Sequence, residues 1–282
     1  KTEQYQGICH NKRIRSLPII RGVFSFIDSM VLGMSTLTYS ASFFMEEEEK
    51  EEVKNEKKES LMMGMTIAFS VVMAVAVFMI LPYFLSQLFR KFTDSMTVIT
   101  LLEGAVRLVI FFGYILLISR MQDIQRVFMY HGAEHKCINC IEHGMELNVE
   151  NVLKSSRLHK RCGTSFLFIV MIVSIVFFLF IRIESPIWRV LFRLLLIPVI
   201  AGVSFEFIRL AGKSENKVVV MLSKPGMMLQ KLTTREPDAS MAEVAIASVE
   251  AVFDWRAYLK ENASFQEKQT EGSQSDRRQE KA

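Results

Sequence analysis

The chain has 282 residues, a net charge of +4 and 50% hydrophobic residues, with 22 Phe and 17 Met. So small a net charge, with acidic and basic residues interspersed and no RNA- or DNA-binding motif, leaves nucleic acid out of the expected partners. Four cysteines in a chain of this length do not make a disulfide scaffold. The apolar total alone would suit a soluble domain, but the apolar residues stand in long blocks with the charges clustered between them.

In chain order, the opening KTEQYQGICHNKRIRS has no apolar core behind its basic residues and is not a secretory signal. The first residue is Lys rather than Met, as expected of a processed or truncated chain. Leu17–Phe44 is apolar but interrupted by Arg21, Asp28 and several Ser and Thr. Residues 1–45 are therefore read as interfacial helix, with a re-entrant fifth membrane segment as the competing reading. Glu46–Ser60 carries eight Glu against four Lys and no apolar face, so 46–60 is expected to be a solvated linker.

A hydrocarbon core of roughly 30 Å needs about 20 apolar residues in helix. Four stretches qualify: about Leu61–Leu88, Thr97–Ser119, Gly163–Ile183 and Ile187–Ala211. The expected fold is thus an all-α integral membrane protein. Residues 61–211 would form a four-span bundle, flanked by N-terminal and C-terminal interfacial helices. Lys and Arg crowd the segment between spans two and three, Arg120–Cys162. The positive-inside rule then places that loop and both termini in the cytoplasm. A reducing compartment leaves Cys137, Cys140 and Cys162 free or metal-bound. Residues 212–260 read as amphipathic helices, one of them opened by a capping box at Ser240–Glu243 and running to about Leu259. Residues 261–282 have the composition of a disordered tail.

The chemistry concentrates in YHGAEHKCINC, Tyr130–Cys140. His131-Gly-Ala-Glu134-His135 has the H-x-x-E-H form. On a helix, residues four apart share a face, so both imidazoles can reach one ion, and Glu134 beside them could take a proton from an activated water. The spacing equally suits two solvent-facing histidines, and Gly132 weakens the local helix. Glu142 shares the face, but at about 1.5 Å rise per residue it lies roughly 16 Å from His131 along the axis, too far for the same ion. His159, Cys162 and Glu206 are the candidates for completing a site, since the topology lets them reach the same membrane face. Zinc is the expected divalent transition metal if a thiolate joins the histidines, whereas Glu206 would leave manganese or iron open. The C-x-x-C pair Cys137/Cys140 reads first as inert thiols, then as structural zinc. Within the spans, Glu103 and Arg107 stand four apart; they suit an ion pair fastening the bundle, or a polar path through it.

The run DIQRVFMYHGAEHKCI, followed by LNVENV and LHKRCGTSF, resembles the YqhQ-like family of bacterial membrane proteins. LPIIRGVFSFIDSMVLGMSTLTYSA, LEGAVRLVIFFGYI, FEFIRLAG and PGMMLQKLTTREPDASMAEVAIA extend the resemblance from Leu17 to about Val252. The family is described as uncharacterised or as predicted metal-dependent enzymes. Its pattern falls on His131, Glu134, His135, Glu142, His159, Arg161 and Cys162, and on Glu103, Arg107, Asp123, Arg126 and Glu206. The resemblance lacks the Gly-rich opening GGQAVIEGVMMR, so the chain would be an incomplete enzyme if that segment contributes to the site. Cys137 and Cys140 lie outside the pattern.

The expectation that follows is a metal-dependent hydrolase at the cytoplasmic membrane face. His131, His135 and Cys162 or His159 would hold the metal, Glu134 would be the base and Arg161 an oxyanion or phosphate stabiliser. Membrane lipids and an unknown substrate are the expected partners, and an oligomer is open. The alternatives are a non-enzymatic scaffold or regulator built on a structural polar cluster, and a small-molecule or lipid transporter using Glu103, Arg107 and Glu206.

Overall fold

The computed structural model describes residues 5, 7–9, 11–41, 43, 56–160, 162–181, 183, 185–213 and 216–262. Most of the expected linker, Arg161 and the tail from 263 onward lie outside them. Helix is the regular structure of the described residues, with no strand among them. Contacts divide the chain into two compact units: one of Gln4–Ile115 and Phe166–Ser223, the other of Leu116–Ser165 and the chain from Lys224 onward.

The first unit holds the membrane-spanning material. After the short α1 (Lys12–Ser16), α2 runs Ile20–Ala41. Next, α3 (Glu56–Val75) continues through a π-helical turn at Ala76–Ile80 into α4 (Leu81–Gln87), and Pro82 stands just after that turn. Helices α5 (Met96–Ile118), α8 (Gly163–Phe180) and α9 (Pro186–Lys213) supply the rest. Five helical stretches are long and apolar enough to cross a membrane: Ile20–Ser40, Gly64–Lys91, Met96–Ile118, Gly163–Phe180 and Ile187–Gly212. Four match the expected spans, and the first lies in the N-terminal stretch read as interfacial or re-entrant. Their outer faces carry bare apolar side chains such as Phe69, Val72, Val109 and Leu195. That surface would be costly in water and is ordinary against lipid tails.

Helix α2 packs on α9 at a crossing of small residues. A Cβ added to Gly22 would lie 2.8 Å from the Gly202 carbonyl oxygen, and one added to Gly202 would lie 2.6 Å from that of Ile19. This is backbone-to-backbone approach of the kind that glycine permits between membrane helices. Arg21 then pairs through two bonds with Glu206, and Arg15 with Asp28.

The second unit joins the loop between spans two and three to the C-terminal helices, which the sequence reading had kept apart. Its axis is α6 (Gln122–Glu142), followed by α7 (Val149–Lys154), α10 (Lys217–Thr233, from Lys224) and α11 (Ala239–Glu250). Helix α6 ends on Gly144 at φ +74°, with Met145 N–H on the Cys140 carbonyl and Gly144 N–H on that of Ile141. Those two bonds are a Schellman cap. Helix α10 passes through Pro225 without a break. The cap of α11 also differs from the expected Ser240 box: Asp238 accepts from Met241 N–H at 2.8 Å, and the Ser240 hydroxyl donates to Asp238. The helix stops at Glu250 rather than near Leu259, and a further helical segment follows at residues 255–262. Trp255 makes that break by turning into the core and donating its indole N–H to Glu250 at 3.0 Å. The core is Cys137, Cys140, Ile141, Leu147, Val152, Ala242 and Trp255.

Candidate metal centre

Helix α6 sets His131 and His135 one turn apart, with ring centroids separated by 4.4 Å. Cys162, in the residue before α8, reaches them from the other end of the loop. The ligand atoms of His131, His135 and Cys162 all lie within 4.8 Å of one another. Cys162 Sγ is 3.3 Å from His131 Nε2 and 3.2 Å from the Thr164 hydroxyl. Ligands on a tetrahedral zinc, with Zn–N near 2.0 Å and Zn–S near 2.3 Å, stand roughly 3.6 Å apart. The sulfur–nitrogen distance is therefore already close to what one ion needs.

The backs of both rings are held. His131 Nδ1–H donates to the Thr233 carbonyl at 2.9 Å, and His135 Nδ1–H donates to the Arg157 carbonyl at 2.7 Å. A carbonyl can only accept, so each Nδ1 carries a proton and each Nε2 is the nitrogen left for a ligand. This is how metal-binding imidazoles are commonly oriented by their surroundings. Among the described residues, two nitrogens and a sulfur converge, a donor set that fits zinc in type and in number.

The carbonyls are themselves fixed. Lys136 Nζ donates to the carbonyls of Leu153 and Ser155, each at 2.8 Å, and Asn139 Nδ2 donates to those of Ser156 and Leu158. One face of α6 thus staples residues 153–158 in place. On the far side, Gln230 brackets the approach to Cys162 by accepting from His159 N–H and donating to the His159 carbonyl and the Ser165 hydroxyl. Gly132 makes room for the Arg235 backbone, two residues after Thr233: a Cβ there would stand 2.0 Å from the Arg235 carbonyl oxygen. The residue read from sequence as a weak point in the helix is the one that lets the chain pass.

Burial pushes the Cys162 thiol up, but hydrogen bonding with His131, His135 and Thr164 outweighs it and brings the thiol down to about 5. His131 is correspondingly raised, first by the hydrogen bond to Cys162 and against its own burial. Cys137 goes the other way, pushed up to about 12 by burial and by the proximity of Cys140 and Glu134. Cys137 and Cys140 are free and buried in the core, as expected of inert thiols.

Of the sequence-derived candidates, His131, His135 and Cys162 meet, and Glu134 stands exposed on the same helix. His159 does not join them. Its Nε2–H donates to Glu142 Oε2 at 3.1 Å, which leaves that nitrogen without a lone pair for an ion. Glu206 is engaged by Arg21 in the other unit. Asp123 and Arg126 are exposed in the first turns of α6, and Arg161 falls outside the described residues. Glu103 pairs with Arg107 at 3.0 Å and is gripped through both oxygens by Arg193. Ser174 and the Phe78 carbonyl take further Arg107 donors, which favours the fastening role over a polar path. Sequence reasoning missed Thr233, Arg157, Lys136, Asn139 and Gln230.

The fold and cluster define an all-helical protein with membrane-spanning helices and a paired-histidine, single-thiol centre in its second unit. By comparison with known proteins, the chain belongs to the family described as protein of unknown function (DUF1385), whose model matches residues 17–255. It is 35% identical over 265 residues to the uncharacterised protein YqhQ of Bacillus subtilis (strain 168), covering 90% of this chain and 83% of that one. No solved structure matches the chain.

Proposed function

We propose that the protein is a zinc-dependent hydrolase of the bacterial cell membrane, working at the cytoplasmic face. His131 Nε2, His135 Nε2 and Cys162 Sγ would hold the ion. The observation that carries this reading is the pair of Nδ1–H bonds to the Thr233 and Arg157 carbonyls, which turns both Nε2 atoms toward one thiol. Two helical histidines facing solvent would have no need of it. A bound zinc supplies Lewis acidity and brings the pKa of a water to about 7. The chain's own groups do the rest: Glu134 takes the proton from the attacking water, and the two carbonyls keep the imidazoles from turning. The three donors among the described residues, with the exposed Glu134 beside them, favour a catalytic over a closed structural site. The concentration of Lys and Arg in the Arg120–Cys162 segment favours the cytoplasmic side.

Elemental analysis of the detergent-purified protein, beside His131→Ala, His135→Ala and Glu134→Gln, tests this. About one equivalent of zinc is expected in the parent and in Glu134→Gln and little in the histidine variants, with hydrolysis lost in all three. Metal-free parent protein, purified without chelator, would sink the metal; full activity in Glu134→Gln would sink the base. The Lys136 and Asn139 staples favour a second reading, a structural polar cluster without an ion. It predicts that His135→Ala melts early with no change in metal content.

A further inference from the structure

Beside the triad the second unit opens a cleft of ≈ 460 Å³, lined among others by Ser119, Arg157, Lys231, Thr234, Arg235 and Glu236. Three cations face one carboxylate there, leaving two positive charges in excess. Much of the donor capacity is uncommitted: Arg235 Nη2 donates to the Ser119 carbonyl at 3.1 Å, Arg157 Nη1 to that of Thr234 at 2.6 Å, and Lys231 is exposed. Glu236 spans Arg157 and Lys136 at the surface, 67% exposed, as an internal anion that a stronger one could displace. Two guanidinium groups and an ammonium around one opening are the equipment for gripping a tetrahedral oxyanion.

The depth of the cleft follows from the chain. Ser119 comes directly after Ile118, the last residue of the span Met96–Ile118, so the cleft is built around the point where a membrane helix ends. Apolar Met129 and Leu232 share its wall. Headgroup phosphates lie at that level in a bilayer. The cleft also shares its walls with the metal centre, because the Arg157 carbonyl holds His135 and Thr234 adjoins Thr233, which holds His131.

We propose that this cleft binds the phosphate of an anionic phosphate ester, presented by a membrane lipid, and so anchors the substrate beside the candidate metal centre. The substrate role rests on the hydrolase reading above; the binding does not, and it can be measured without turnover or metal.

The test uses the full chain in nanodiscs of phosphatidylcholine with or without phosphatidylglycerol, with lipid retention read by native mass spectrometry and zinc measured on the same preparations. Phosphatidylglycerol should be retained by the parent and held about tenfold more weakly by Lys231→Ala, as for loss of one charge-assisted contact. Glu236→Gln should retain it more tightly. Lys154→Ala, which removes an exposed lysine paired to Glu150 on α7, should match the parent. Glycerol phosphate added to phosphatidylcholine nanodiscs separates the sources. A thermal shift in the parent that Lys231→Ala lacks would keep the phosphate site but assign it a soluble ester. Equal phosphatidylglycerol retention by parent, Lys231→Ala and Lys154→Ala, with no glycerol phosphate effect, would overturn the proposal. Retention without zinc would leave the cleft standing and remove the metal centre instead.

Discussion

Cys162 behaves as an acid because of what faces it rather than where it is buried. Burial alone would raise it; the imidazoles of His131 and His135 and the Thr164 hydroxyl reverse the direction. Metal-free protein should therefore be alkylated at Cys162 with a pH midpoint of about 5 rather than at the ordinary thiol value of 9.0. In His131→Ala the midpoint should move up. Since the folded value lies below the ordinary one, this ionisation adds stability that is complete above pH 9.0 and fades as the pH falls through about 5. Iodoacetamide kinetics against pH, after chelation, would show it; a midpoint unchanged by His131→Ala would refute the pairing. Gly132 is the other residue whose role lies wholly in its neighbours. Gly132→Ala forces a methyl against the Arg235 carbonyl, which is backbone and has no rotamer to give. A loss of about 3 kcal/mol is expected, at the upper end for overpacking. It should appear as an early thermal transition, with the Thr233 bond to His131 and any bound zinc lost together.

At the scale of elements, α6 does two tasks with neighbouring side chains. His131 and His135 point at Cys162, while Lys136 and Asn139 hold the segment that supplies the Arg157 carbonyl. Lys136 is almost fully buried, yet it is satisfied by two carbonyls and by Glu236 at 2.9 Å. Lys136→Met keeps the stem and leaves those carbonyls unpaired, which costs about 1–3 kcal/mol. Thermal unfolding in detergent should register that loss, and zinc affinity should fall with it, because the Arg157 carbonyl is no longer fixed. Unchanged zinc affinity in a destabilised Lys136→Met would mean that the staple serves the fold alone. The pattern of this helix was only half readable: a four-residue spacing marks the histidines, whereas nothing in the identity of Lys136 or Asn139 says that they point inward.

Across the whole molecule, the membrane unit is pinned by buried charge and the second unit by buried polar staples. Glu103 is 2% exposed and compensates both Arg107 and Arg193. Glu103→Gln leaves two guanidinium groups short of a carboxylate and should cost about 3–5 kcal/mol, as for breaking a buried pair. Zinc content should survive in the folded fraction, since the triad lies in the other unit. Melting like the parent, with loss of solute flux in vesicles, would instead restore the transport role.

The sequence by itself determined the class and the pairing of the two histidines on one helix. Span lengths, charge clusters and the His131/His135 spacing are properties of neighbouring residues, and each is visible wherever the chain is read. The tertiary structure decided which third donor joins them, choosing Cys162 and committing His159 to Glu142. It also decided that the rings are held by Thr233 and Arg157, and that Gly132 is required. The reason is chemical: those holding contacts use backbone carbonyls, which every residue carries. Only folding, which brings positions more than 100 apart to within 2.9 Å, selects the ones that matter.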